Sequence, residues 1–118
     1  MPPKILQQIE LLQGADTRFD FPILIDREPP PDGLDGWTFA FRLFTDREDP
    51  DDKALVTLTS AGGSIWVFDN DAAIARLRVT QEDIAALTPG QKYFWRFTSL
   101  APNGDDDVPA HGFALVNR

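Results

Sequence analysis

The chain reads as an all-β sandwich of about seven to eight short strands, with one short helix before the penultimate strand. Three observations carry this reading. Apolar and polar residues alternate in segment after segment, with the period of two that puts one face of a strand inward. Clusters of Gly, Pro, Asn and Asp separate these segments about every eight to twelve residues. Nine Phe, three Trp and one Tyr supply rings enough to fill the space between two sheets. Strands do not alternate with long helical patterns here, so a βαβ fold is not expected.

The most aromatic segment is Leu87-Thr88-Pro89-Gly90-Gln91-Lys92-Tyr93-Phe94-Trp95-Arg96-Phe97. Pro-Gly signals a turn. Tyr93, Trp95 and Phe97 then fall on one strand face, and Lys92, Phe94, Arg96 and Thr98 on the other. Such a row of rings has to be buried, and the other strands are placed to bury it.

In chain order, residues 5–13 are open between helix and strand. Ile5, Leu6, Ile9 and Leu12 have helical spacing, while Ile9 and Leu11 alternate. We take residues 1–12 as an N-terminal arm leading into an edge strand. The arm either folds back on its own sandwich or reaches a neighbouring subunit. Residues 17–26 alternate with Phe19, Phe21, Ile23 and Ile25 on one side, and Pro22 places that strand at an edge or marks a bulge in it. Pro29-Pro30-Pro31 stiffens the loop that follows; it either spaces two strands or docks on an aromatic groove.

Residues 37–45 carry Trp37, Phe39, Phe41 and Leu43 on one face. Residues 54–60 form a strand rich in β-branched residues, and Gly62-Gly63 is expected to close a hairpin with 64–68. Residues 72–79 place Ala73, Ala75, Leu77 and Val79 inward. Thr80 with Asp83 resembles a capping box, predicting a helix over 81–87. Strand 91–100 follows, then a polar hairpin loop at Pro102-Asn103-Gly104, then a last strand over 108–117.

The chain has 118 residues, the size of one domain, so 1–118 is taken as a single unit. The absence of cysteine excludes disulfides, Cys-based zinc sites and thiol catalysis. The net charge is −8, with 19 acidic and 11 basic residues. That balance disfavours nucleic acid as a partner, and no window clusters Lys and Arg. No apolar core of about 7–15 residues follows Met1-Pro2-Pro3-Lys4, so a secretory signal is not expected. No apolar run is long enough for a membrane helix.

Two resemblances can now be stated. The Leu87–Phe97 stretch, followed by Asn103-Gly104, resembles the corner and F strand of fibronectin type III and other immunoglobulin-like domains. It implies an immunoglobulin-like antiparallel sandwich in which Tyr93 hydrogen-bonds back to the corner before it. The second resemblance covers most of the chain. It rests on Leu12-Gln13-Gly14-Ala15-Asp16-Thr17, on Leu34-Asp35-Gly36-Trp37-Thr38-Phe39 with Phe41-Arg42, and on Gly62-Gly63. It continues in Thr80-Gln81-Glu82-Asp83 with Leu87-Thr88-Pro89-Gly90, and in a terminal strand from Gly112. This set is similar to the N-terminal-like domain of tailed-phage upper baseplate and related tail proteins. Those domains dock on the particle or on each other. The resemblance implies a virion protein made in the host cytoplasm and partnered by other virion proteins. It implies homo-oligomers and no cofactor, in a tail, baseplate or fibre-adaptor role or as a capsid decoration.

Candidate sites are few. His111 is the one histidine, and none of Ser60, Ser64 and Ser99 lies in a nucleophile-elbow motif, so His111 reads as structural or superficial and no catalysis is expected. Asp69, Asp71, Asp105 and Asp107 offer hard oxygen ligands for calcium in turns, without EF-hand spacing. The same residues serve equally as solvated loops that keep the domain soluble. Trp66, Phe68 and Phe94 lie opposite faces already rich in rings, so they either cover the outer sheet or mark a contact surface. Trp66 and Phe94, with Ile5, Leu6 and Ile9 of the arm, are the candidate interface residues. A Trp beside acidic groups also suits a pyranose ring, which makes a carbohydrate-binding or adhesion module the alternative class.

Overall fold

The computed structural model describes residues 5–24, 28–31 and 33–117, with side chains in the first strand from residue 8. Eight strands run in order: β1 (Ile5–Leu12), β2 (Thr17–Pro22), β3 (Thr38–Phe44), β4 (Val56–Thr59), β5 (Ile65–Asp69), β6 (Ile74–Val79), β7 (Lys92–Leu100) and β8 (Asp106–Asn117). They form a five-stranded sheet, β1-β8-β7-β3-β4, packed on a three-stranded sheet, β2-β6-β5. The second, sixth and fifth strands lie together, and the third, seventh and eighth form the centre of the opposing sheet. That is the strand arrangement of an immunoglobulin-like sandwich.

Alternation determines which residues meet inside. Phe39, Phe41 and Leu43 of β3 oppose Ser99, Phe97 and Trp95 of β7. From the other sheet, Phe21 stacks on Phe97 with centroids 4.4 Å apart and tilts against Trp95 at 5.5 Å. Trp95 and Phe97 are 1% and 0% exposed, so the aromatic row is the seam between the layers. Its contacts sit within the 4.5–7 Å range in which ring pairs attract, or at its lower edge.

Three features differ from the sequence reading. First, the sandwich is not wholly antiparallel. β1 pairs with β8 in parallel along its length, Ile5 beside Ala110 to Leu12 beside Asn117. The chain can do this because β1 joins the sheet opposite the one β2 enters, and the turn at Gln13–Asp16 carries it between layers. Residues 5–12 of the arm therefore fold back on the chain's own sandwich.

Second, residues 81–87 form consecutive turns instead of a helix. The capping contacts exist: the Thr80 amide donates to Asp83 Oδ2 (2.8 Å) and the Asp83 amide to Thr80 Oγ1 (3.3 Å). The groups that would extend a helix are engaged elsewhere. Gln13 Nε2 donates to the Leu87 carbonyl (2.6 Å) and reaches the Ile84 carbonyl (3.5 Å), and the Thr88 amide donates to the Tyr93 hydroxyl (2.8 Å). Two turns of helix are marginal without packing to sustain them, so these tethers prevail. A 3-10 turn occurs instead at Asp51–Lys53.

Third, Gly62-Gly63 does make a tight turn, but the strands it joins part company. β4 pairs with β3, and β5 pairs with β6 in the other sheet.

Other expectations hold. β2 is an edge strand and ends at Pro22; Ile25 and Asp26 lie outside the described residues. Pro30 is buried, and the Leu34 amide donates to Asn70 Oδ1 (2.8 Å). Gly33 is at φ 71, and a Cβ there would come within 2.5 Å of the Asn70 side chain, so this corner requires glycine.

Candidate functional site

The two outer faces of the sandwich differ in chemistry. On the three-stranded sheet, outward residues are Arg18 and Asp20 of β2, Arg76 and Arg78 of β6, and Trp66 and Phe68 of β5. Asp20 accepts two bonds from Arg76, at 2.7 and 3.1 Å. The same guanidinium lies 3.4 Å from the centroid of the Phe68 ring. Phe68 is nevertheless 51% exposed and Trp66 38%. One side of the Phe68 ring is thus clamped by a fixed cation, while half of the residue remains open to solvent. Phe68 follows Trp66 by two residues and so shares its outer side; β5 then shifts register against β6 between Val67 and Asp69, which sets Asp69 opposite Ile74 on that same side. A bulge also discourages further strands from pairing along this edge.

Neighbouring charges reinforce the clamp. Arg78 Nη2 donates to Asp16 Oδ2 at 2.6 Å. Hydrogen bonding from Arg78 and from the Gln81 amide holds the Asp16 carboxyl below its usual range. The Arg76 hydrogen bonds do the same for Asp20, and Asp20 in turn raises Arg76.

The outer face of the five-stranded sheet holds a broad open groove of about 770 Å³. Its floor includes Thr38, Ala40 and Thr98, and Asp51, Asp106 and Asp107 stand at its sides. Arg42 and Arg96 sit directly opposite each other on β3 and β7, an arrangement of like charges that is unfavourable alone. Asp51 resolves it, lying 3.8 Å from Arg42 Nη1 and 3.2 Å from Arg96 Nη2. Arg96 also donates to the Asp49 carbonyl at 2.6 Å and stacks on Phe44 at 4.0 Å. The acidic loop is therefore folded over the sheet by the arginine pair. Next to the groove is a recess of about 240 Å³, lined by Phe44, Arg47, Phe94, His111 and Phe113 among others. Phe94 and Phe113 meet edge to face at 5.5 Å.

The sequence-predicted residues are therefore dispersed. Trp66 lies on the exposed clamp face and Phe94 in the recess of the opposite face. Ile9 is 3% exposed and serves the domain's own core, so it is withdrawn from the interface set. The backbones of Ile5 and Leu6 belong to β1, and their side chains lie outside the described residues. Asp69 accepts from the Ala72 amide at 3.0 Å, Asp105 bonds with Asn103, and Asp107 accepts from the Val108 amide at 2.8 Å. Among the described residues, no three His, Cys, Asp or Glu side chains converge as a metal site would require. Ser99 is 4% exposed, and the Ser60 hydroxyl accepts from the Phe39 amide.

Sequence reasoning missed the arginine pair and the clamp. The pair had a signal, since Arg42 and Arg96 share outward parity on two aromatic strands. The clamp had none, because nothing local to Asp20, Phe68 and Arg76 announces that they meet. No protein-family model matches the chain, and no curated protein is significantly similar to it.

Proposed function

We propose that this protein is a non-enzymatic structural domain that works by docking to other proteins, as a component of a tailed-phage virion in its tail, baseplate, fibre adaptor or capsid decoration. The observation that carries the docking role is the clamped Phe68 beside the exposed Trp66. Interface anchors are typically Trp, Tyr and Arg held in place before the partner arrives, because prior ordering lowers the entropy lost on binding. The virion assignment is supported by the resemblance to phage tail domains in the segments quoted above.

The test is electron microscopy of particles carrying tagged protein. Wild-type protein occupies repeated positions on the particle. Trp66→Ala, a truncation of hot-spot size at about 2 kcal/mol, weakens incorporation about thirtyfold. Equal incorporation of the variant, or no labelled positions on any particle, refutes the proposal.

A second reading, a carbohydrate-binding or adhesion module, is favoured by the groove. Its volume of about 770 Å³ lies within the ~300–1,000 Å³ typical of ligand sites. Hydroxyls, arginines and carboxylates line it. Glycan-array binding that is lost in Asp51→Ala but retained in Trp66→Ala selects this reading over docking.

A further inference from the structure

We infer that the free edge of β1 is a self-pairing site, where a second copy of this chain adds its own β1 antiparallel, about a twofold axis at Ile9. The two five-stranded sheets then run on as one. Three observations carry this.

The first is a contrast among edges. The two sheets end in β1 and β4, and in β2 and β5. An open strand edge is a template for another strand, and proteins blunt it by shortness, proline, charge or a bulge. β4 has only four residues. β5 is interrupted between Val67 and Asp69. β2 ends in Pro22 and carries Arg18 and Asp20. By contrast, β1 runs for eight residues, Ile-Leu-Gln-Gln-Ile-Glu-Leu-Leu, with no Pro, Gly, Lys or Arg. Its register against β8 is unbroken.

The second is the backbone. The Gln13 amide donates to the Asn117 carbonyl of β8 at 2.8 Å. Backbone groups alternate in direction along a strand, so those of odd-numbered β1 residues face β8. The amides and carbonyls of Leu6, Gln8, Glu10 and Leu12 face away from it. Among the described residues, only the Leu12 carbonyl is engaged on that side, by the Ala15 amide at 3.2 Å. A row of donors and acceptors at this spacing matches an extended strand.

The third is the sequence of the edge, which identifies the strand. Residues opposite each other in an antiparallel pair share a face. Ile9 and Leu11 are 3% and 0% exposed in their own core, so a twofold that keeps them inward has to pass through a residue. At Ile9 it sets Gln8 opposite Glu10 twice, an amide beside a carboxylate. It also sets Leu12, 46% exposed, opposite Leu6. An axis at Glu10 opposes two carboxylates, and one at Gln8 sets Leu6 against Glu10. Only the Ile9 register matches polar with polar and apolar with apolar.

Such a contact is isologous and closes at two copies. It offers about eight ladder bonds along ~27 Å of strand. The edge is small, and two chains of net charge −8 repel each other. Dimers therefore form at high protein concentration and gain from added salt.

Sedimentation velocity of the full chain, from dilute to the highest soluble concentration, tests this. The wild type shifts from monomer to dimer and no further. Gln8→Pro deletes an amide on the free side and leaves the β8 ladder whole, so it stays monomeric with a urea midpoint close to wild type. The chain has no cysteine, so single cysteines report the register. Under mild oxidation, Gln8→Cys mixed with a tagged Glu10→Cys cross-links several times faster than either variant alone.

A wild type that stays monomeric at every concentration overturns the inference. So does a folded Gln8→Pro that still dimerises, and so does either cysteine variant cross-linking alone as fast as the mixture. Trp66→Ala dimerises like the wild type; a dimer lost in that variant moves the contact to the clamp face and overturns the edge. The docking proposal is judged separately, by entry of Trp66→Ala into particles.

Discussion

Removing the Tyr93 hydroxyl tests how the corner before β7 is held. Tyr93 is 3% exposed, and its hydroxyl accepts from the Thr88 amide at 2.8 Å. Tyr93→Phe keeps the ring and its packing and deletes only the acceptor. A net intramolecular hydrogen bond is worth about 0.5–1.5 kcal/mol, and a partly buried donor left without a partner raises the loss toward 2. The expected loss is therefore about 1–2 kcal/mol, a large fraction of the 5–15 kcal/mol that typically stabilises a domain. Urea unfolding followed by the fluorescence of the buried Trp95 reads it directly. With m near 2 kcal/mol/M, the midpoint falls by about 0.5–1 M and m itself does not change. Hydrogen exchange locates the effect, because the Thr88 amide loses protection before the neighbouring β7 amides do. An unchanged midpoint with Thr88 still protected would show that the corner is held by packing, and the tether account of residues 81–88 would fall with it.

Four further outcomes are expected. Gln13→Ala removes the tether to the Leu87 and Ile84 carbonyls; it lowers stability by about 1 kcal/mol and speeds proteolysis within 81–88 more than in the strands. Phe21→Ala opens a cavity against Phe97 and Trp95 and costs about 3–5 kcal/mol in the same urea assay. Asp51→Asn leaves Arg42 and Arg96 facing each other; because Asp51 is well exposed, the loss is no more than about 1 kcal/mol, and it shrinks as salt is added. Asp16 and Asp20 have lowered carboxyl pKa values in the fold, so their stabilisation is complete above the ordinary carboxylate range and is lost as pH falls through the depressed folded values. The double variant Asp16→Asn with Asp20→Asn flattens this acid limb in unfolding curves taken at successive pH values. A limb as steep as in the wild type refutes the assignment.

What was legible in the sequence followed from parity. Tyr93, Trp95 and Phe97 had to share a face, and that one constraint fixed β7 at the centre of its sheet. The same reasoning placed Phe19, Phe21 and Ile23 against it and made β2 an edge through Pro22. Parity says which side a residue takes, but not which strand its own strand will pair with. For that reason Gly62-Gly63 read as a hairpin, although β4 and β5 belong to different sheets. Parallel pairing of β1 was hidden for the same cause, because an edge strand alternates identically in either direction. The helix expected over 81–87 failed on a different ground. Thr80 and Asp83 do form their reciprocal contacts, but whether a helix continues depends on Gln13 and Tyr93, which no local window contains.

The candidate site was the least legible part, and the reason is physical. A core residue is constrained by the pattern of its own strand. An exposed anchor is constrained by neighbours on other strands. Trp66 and Phe68 share with Phe94 an outward parity on aromatic strands, so sequence could not separate the two environments. The fold separates them: Phe94 is covered by Phe113, while Phe68 is fixed by Arg76, itself fixed by Asp20 fifty-six residues away. That chain of contacts makes an exposed ring rigid without burying it. A ring serving only to cover the sheet would gain from lying flat over apolar neighbours. Here its support is a paired cation on one face, leaving the other half of the residue in solvent. Loosening the cation therefore discriminates the two roles. Asp20→Asn frees Arg76 and leaves Trp66 and Phe68 in place, so it weakens docking while costing only what a partly exposed ion pair contributes, no more than about 1 kcal/mol. A sheet-covering role predicts the reverse, a larger loss of stability with docking intact.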